Sequence, residues 1–202
     1  MSIRLLLADD QALVRGALAA LLDLEPDLDV VAEVGNGDEV VPAARRHTPD
    51  VALLDVEMPG LDGIEATRAV KAAVPGIRVL IVTTFGRPGY LRRALRAGAD
   101  GFVVKDTPAR QLADAVRRVH AGLRVVDPVL AADSLVAGDS PLTAREADVL
   151  RAARDGASVA TVAGRLFLSE GTVRNHLSAA IGKTDSANRA EAVRVAEQNG
   201  WL

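Results

Sequence analysis

Val51-Ala52-Leu53-Leu54-Asp55-Val56-Glu57-Met58-Pro59-Gly60-Leu61-Asp62-Gly63 decides how the rest of this 202-residue chain is read. Four apolar residues deliver one carboxylate, Asp55, to the end of a buried strand, and Pro59, Gly60 and Gly63 then break the chain into a loop. Ligands of an open α/β sheet sit outside the carboxyl ends of its strands, so an acid released there is placed for chemistry.

Outward from that stretch the same unit recurs. Residues 3 to 8 form an apolar run ended by Asp9 and Asp10, and Leu13, Ala17, Leu21 and Leu24 follow at helical spacing. Val30 to Val34 predicts a second strand, with Asn36 and Glu39 placed to cap a helix reaching His47. Beyond the opening stretch come a helix over Ile64 to Val74, a strand over Arg78 to Thr83, a helix over Pro88 to Ala97 and a short strand over Gly101 to Val104. Thr107 and Pro108 are placed as cap and first-turn residues of a helix to Ala121. Five strand-helix pairs in alternation predict an α/β domain over residues 1–121, a doubly wound five-stranded parallel sheet with helices on both faces.

Residues 122–140 carry Pro128, three acids and Gly138 without a sustained period, which predicts a linker holding at most a helical turn. From Pro141 to Leu202 the pattern is all helical. Thr143 and Glu146 have the spacing of a capping box, Gly156 ends that helix, and Ser158 and Ser169 cap two more that run to Phe167 and Lys183. A fourth covers Ala187 to Glu197, and the short join between the second and third predicts a helix-turn-helix in a small all-α domain.

Hydrophobic residues at 49% and charged ones at 25% fit a globular protein and exclude a largely disordered chain. With no cysteine, disulfides, thiolate catalysis and cysteine-based zinc sites are excluded. The apolar run at residues 3–8 is too short for a signal peptide or a membrane span, which leads us to expect a soluble, cytoplasmic protein. A net charge of −3 argues against binding nucleic acid through bulk charge, and only residues 140–202, with eight basic against seven acidic residues, lean the other way.

Asp9, Asp10 and Asp55 come from the ends of two strands that a parallel sheet can place side by side. Clustered carboxylates repel, and a hard divalent cation relieves the repulsion; Mg²⁺, which takes octahedral oxygen ligands and keeps waters, suits such a set. Thr83 and Lys105 end two further strands and add a hydroxyl and an ammonium at the same edge. Together these groups make a phosphoryl-binding set with Asp55 as acceptor, because in-line transfer needs positioning and charge neutralisation above all. Singly, each has a plainer reading: a strand-end Asp as a turn residue, Thr83 as strand, Lys105 as a solvated charge.

Residues 1–121 resemble the receiver domain of two-component response regulators. The likeness rests on Asp9-Asp10, on Asp55 with Met58-Pro59-Gly60-Leu61-Asp62-Gly63, on Thr83 and on Gly98-Ala99-Asp100-Gly101-Phe102-Val103-Val104-Lys105. It implies phosphorylation of Asp55 by a sensor histidine kinase, with Asp10, Asp55 and the Glu57 backbone carbonyl holding Mg²⁺ and Asp9 completing the acidic pocket. It further implies that Lys105 pairs with the phosphoryl oxygens, that Thr83 turns its hydroxyl onto them, and that Phe102 stands at an aromatic switch position. Phe lacks the hydroxyl of the Tyr often found there, which leaves a packing change. Asp106 stands where many receivers carry Pro, removing the bond type that tolerates a cis peptide.

In the helix after Ser169, one face carries Val173, Leu177, Ala180 and Ile181 and is built to pack. The other carries Gly171, Arg174, Asn175, Ser178 and Gly182: small residues that permit close approach, an Arg suited to guanine and an Asn suited to adenine. Ser169 and Thr172 at its start are placed to donate to phosphates. The segment from Leu166 to Leu177, with Leu142-Thr143-Ala144-Arg145-Glu146, resembles the LuxR-type helix-turn-helix. That likeness implies that Arg174, Asn175 and Ser178 face the major groove, that Lys183 and Arg189 face phosphates, and that the helix from Ala187 joins two copies. Gly182 and Asp185 depart from the apolar and basic residues usual there, which implies modest affinity dependent on dimerisation.

The two halves together resemble the NarL/FixJ subfamily, and Thr83-Thr84-Phe85-Gly86-Arg87-Pro88-Gly89-Tyr90 with Asn199-Gly200-Trp201 resembles its DesR-type branch. The implied protein is not an enzyme. It is a transcriptional regulator in which phosphorylation of Asp55 promotes a homodimer that binds paired half-sites of a double-stranded operator, with Leu13, Ala17, Leu112 and Val116 of the first and fifth helices standing either at the dimer interface or simply in the core. Two alternatives stay open: a regulator that binds DNA without phosphorylation and uses the receiver as a dimer platform, and an aspartate-nucleophile phosphatase. Against the second, Asp55 is followed by Val56 and Glu57, with no Asp-x-Asp.

Overall fold

A computed structural model describes residues 2–84, 88–136 and 140–202. Phe85, Gly86 and Arg87, part of the string that carries the DesR-type resemblance, lie outside the described residues, as does Gly138. The chain forms two compact units, the first reaching Ala132 and the second running from Asp133.

In the first unit, β1 (Ile3–Ala8), β2 (Leu28–Val34), β3 (Val51–Leu54), β4 (Arg78–Thr83), β5 (Gly101–Val104) and β6 (Val125–Val126) form one sheet in the order β2-β1-β3-β4-β5-β6, with every pair parallel. Side chains alternate across it. Leu6, Ala52, Leu54, Val79, Ile81 and Phe102 face α2 (Gly37–His47), α3 (Gly63–Ala73) and α4 (Pro88–Ala97). Leu5, Leu7, Val51, Leu53, Leu80 and Val82 face α1 (Ala12–Asp23) and α5 (Ala109–His120). Strand order reverses at β1, which has β2 on one side and β3 on the other, so the switch-point crevice opens at the ends of β1 and β3.

The sheet has six strands where five were expected, and residues 122–140 hold more than a linker. Val125 pairs with Gly101 to form β6, a two-residue strand too short to leave a period in the sequence. α6 (Pro128–Val136) follows, and the Asp127 carboxylate accepts from Val129 and Leu130 N–H at its start. Asp-Pro was thus the cap-and-first-turn signal there. Thr107-Pro108 is not: α5 begins at Ala109 without a side-chain cap.

α1 also differs from its sequence pattern. Its buried residues are Ala19 and Leu22, whereas the predicted stripe points outward: Leu13 is 86% exposed, Leu24 79%, and Leu21 and Ala17 are exposed as well. Leu112 and Val116 of α5, for which both a dimer interface and the core were open, belong to the core under the sheet. A helix with apolar residues on two faces has no unique orientation until the sheet supplies one.

The second unit contains α7 (Ala144–Ala152), α8 (Val159–Leu166), α9 (Glu170–Lys183) and α10 (Arg189–Gln198). The capping box forms: Thr143 Oγ1 accepts from Glu146 N–H, and the Glu146 carboxylate accepts from Thr143 N–H. Ser158 and Ser169 cap α8 and α9 through Thr161 and Thr172 N–H. Val149, Leu150, Val162, Val173, Leu177 and Ala180 fill the core, with Trp201 and Leu202 packed at its edge.

Candidate functional site: an acidic pocket and an exposed helix face

Backbone register assembles the first site. Ala8 pairs with Leu54, and Asp55 N–H continues the ladder onto the Ala8 carbonyl, which sets Asp55 beside Asp9. Thr83 pairs with Val104, and Lys105 N–H donates to the Thr83 carbonyl, which brings the lysine to the same edge. Lys105 Nζ then lies 2.7 Å from Asp9 Oδ2 and 3.0 Å from Asp55 Oδ2. Each acid has a second tie: Asp9 Oδ1 accepts from Gln11 N–H and Asp55 Oδ1 from Val56 N–H.

Asp9 and Asp55 are buried and Asp10 is exposed, with carboxylate oxygens of all three within 4.8 Å of one another. Burial pushes the Asp55 carboxyl above the ordinary range, and the neighbouring Asp9 charge adds to that against the pull of Lys105. Burial opposes the Lys105 charge too, but bonds to Asp9 and Asp55 hold its ammonium above the usual value. The two shifts agree physically: one cation serves two anions, so the cation is over-stabilised and Asp55 is under-compensated.

Thr83 is buried at the end of β4, and Phe102 lies fully buried among the core residues facing α4. Glu57 is exposed in the loop after β3. A Cβ on Gly63 would fall 1.8 Å from the Asp55 carbonyl oxygen, and Gly63 N–H donates to the Val56 carbonyl, so this glycine lets α3 close against the end of β3. Arg15 was missed by sequence reasoning. Its guanidinium donates to the Asp9 carbonyl and faces Glu33 at 3.6 Å, tying α1 to the acidic loop. The available signal was that it is the one charged residue between Asp10 and Asp23.

In the second unit, Val173, Leu177 and Ala180 of α9 are buried, and Gly171, Arg174, Asn175, Ser178 and Gly182 are exposed together, the split expected from the helical period. Arg174 pairs with Glu170 at 2.7 Å, one turn earlier. Ser169 Oγ and Thr172 Oγ1 are 2.8 Å apart at the helix start. Lys183 and Arg189, expected at phosphates, are engaged inside the unit. Lys183 Nζ bonds both Glu146 oxygens, at 2.8 and 3.0 Å, and Arg189 donates to the carbonyls of Ala157 and Gly156.

Residues 5–117 match the response regulator receiver domain, and residues 140–196 match the bacterial regulatory proteins of the luxR family. The chain is 42% identical over 200 residues to the uncharacterized transcriptional regulatory protein YvfU of Bacillus subtilis, covering 99% of this chain and 100% of that one. It is 40% identical to the transcriptional regulatory protein DesR of Bacillus subtilis, with 99% of each covered. Among solved structures it resembles the response regulator ChrA of a heme-sensing two-component system, at 36% identity and a TM-score of 0.60 over 100% of this chain and 99% of that one.

Proposed function

The chain belongs to the NarL-type response regulators, transcriptional regulators that join a receiver to a LuxR-type DNA-binding domain, and on that premise we propose that its output is switched by phosphorylation of Asp55. The observation that carries this reading is the Lys105 ammonium bridging Asp9 and Asp55 at the sheet's switch point. An oxygen of the Asp55 carboxylate attacks the phosphorus of a phosphohistidine on a sensor kinase. The new O–P bond forms as the P–N bond breaks, and the imidazole leaves with that electron pair. Lys105 transfers its bond from the Asp55 oxygen to the phosphoryl oxygens, and Thr83 supplies a hydroxyl to them.

The three carboxylates are a hard oxygen donor set that fits Mg²⁺, with Asp10, Asp55 and the Glu57 carbonyl as ligands and Asp9 alongside. When bound, the ion supplies charge neutralisation for the transferring group. Asp9, with both carboxylate oxygens and its carbonyl engaged, acts mainly to position Lys105 and the loop.

Phosphorylation replaces the single charge of the Asp55 carboxylate with a phosphoryl group carrying about −1.5 to −2 charges, in a buried site whose one bridging cation is already shared, and so favours a second arrangement of the pocket. Dimerisation through the exposed α1 face at Leu13, Ala17, Leu21 and Leu24 then pairs two copies of α9 on adjacent half-sites of duplex DNA. There Arg174 exchanges Glu170 for a guanine edge, Asn175 and Ser178 read neighbouring bases, and Ser169 and Thr172 donate to phosphates. Phosphate contacts by Lys183 and Arg189 compete with their present partners and are worth less.

The test is incubation with Mg²⁺ and a small phosphodonor, followed by intact mass and oligomeric size, with Asp55→Asn as control. A phosphoryl adduct on Asp55 together with a dimer is expected. An adduct without dimerisation would remove the output half of the proposal, and equal DNA binding with and without phosphodonor would favour a receiver that serves only as a dimer platform.

A further inference from the structure

Phe167 ends α8 in the left-handed conformation, φ 55° and ψ 45°, with its N–H on the Ala163 carbonyl. Leu168 N–H donates to the same carbonyl, so the helix stops in a motif that ordinarily calls for glycine or asparagine at this position. A bulky aromatic residue there is a backbone outlier. Packing returns nothing for it: Phe167 is 95% exposed, more than any other large apolar residue among those described, while Leu168 beside it packs on the helical core. Two separate costs, a strained backbone and a solvated ring, thus fall on one residue, and Asn would remove both. Outliers of this kind mark functional sites when the surrounding structure enforces them.

Location points to the function. Phe167 lies two residues before Ser169, the N-cap of α9, and that helix start leads into the exposed face of Gly171, Arg174, Asn175 and Ser178. We infer that the Phe167 ring is a DNA contact, laid against the deoxyribose faces of the backbone beside the groove that α9 enters. The inference rests on α9 being the base-reading helix. Sugar faces are the apolar surface a duplex backbone offers, and contact with them carries no charge and no sequence information. Phe167 would therefore add affinity to specific and non-specific sites alike without altering the salt dependence, which counts phosphate contacts by charged residues.

The test uses the full chain and a duplex selected from a random-sequence pool by the phosphodonor-treated parent protein. Phe167→Asn is expected to melt at or above the parent temperature while binding that duplex roughly fivefold or more weakly, a loss of about 1 kcal/mol. The slope of log Kd against log salt is expected to stay unchanged, and Phe167→Tyr, which keeps the ring, to retain affinity. Arg174→Ala is the control for the helix itself. Full binding by Phe167→Asn while Arg174→Ala is impaired overturns the Phe167 contact alone, and full binding by both overturns the reading of α9 as well. A lower melting temperature for Phe167→Asn assigns the ring a structural role and overturns the inference, as does loss of transcription with DNA affinity intact, which would place a protein partner on the ring.

Discussion

Lys105 Nζ lies 3.0 Å from Asp55 Oδ2 while also holding Asp9 at 2.7 Å, so a single buried ammonium is shared between two buried carboxylates from different strands. Lys105→Met keeps the apolar stem and removes the charge. Breaking a buried pair from one side costs about 3–5 kcal/mol, and the loss is expected at the low end because Asp55 can take up a proton. Thermal unfolding at neutral pH in chelator should show a lower midpoint than the parent, with added Mg²⁺ restoring more in the variant than in the parent.

Asp55→Asn is expected to stabilise the chain at neutral pH. The Asp55 carboxyl is raised by burial and by Asp9, so the folded state holds its proton to a higher pH than the unfolded state does. Stability therefore falls as pH rises from the ordinary value of 3.8 through the folded-state value, and the penalty persists above it. Asn mimics the neutral form and escapes a cost of about 1 kcal/mol, in the range for an imperfectly compensated buried polar group. Denaturant midpoints measured against pH should converge on acidification; parallel curves would refute the assignment.

Glu146 does two jobs in the second unit, capping α7 through Thr143 N–H at 2.7 Å and holding Lys183 through both oxygens. Burial opposes its charge, but the bonds from Lys183 and Thr143 hold the carboxyl below its ordinary 4.5. The stability it contributes is full above that value and is lost as pH falls through the lowered folded-state value. Glu146→Gln retains the cap acceptor and is expected to cost about 1 kcal/mol, while Glu146→Ala also loses the cap and costs roughly 2. Equal losses in the two variants, read by urea unfolding, would show that Lys183 carries the whole effect.

Gly63→Ala tests how tightly the strand ending in Asp55 is held. The new methyl would meet the Asp55 carbonyl oxygen, a backbone atom that cannot swing aside. Overpacking of this kind costs about 1–3 kcal/mol or more. Because the strand must shift to relieve it, phosphoryl uptake by Asp55 should fall along with the unfolding midpoint. A variant as stable and as reactive as the parent would show that the loop gives way instead.

Most of the first unit was legible from local pattern. The apolar runs ending in Asp9, Asp55, Thr83 and Lys105 carry strand, end point and chemistry together, and the parallel order follows from the helices between them. Capping was legible at Thr143, Ser158 and Ser169, whereas the Asp127 cap of α6 went unread in a stretch without a helical period. β6 was not legible, because two residues pairing with Gly101 and Phe102 are invisible without the sheet edge they extend.

Outside residues 122–140, the sequence by itself determined which elements form and which residue types reach the strand ends, because hydrophobic period and caps act over a few residues. Only the tertiary structure decided which apolar face of α1 is buried, that Asp9 is enclosed with Lys105 while Asp10 remains exposed, and that Lys183 and Arg189 already have partners inside their own unit. Those outcomes depend on what lies across from a side chain, and burial and charge pairing are set by neighbours far along the chain: Asp9 and Lys105 meet through the strand order, and Glu146 and Lys183 through the packing of two helices.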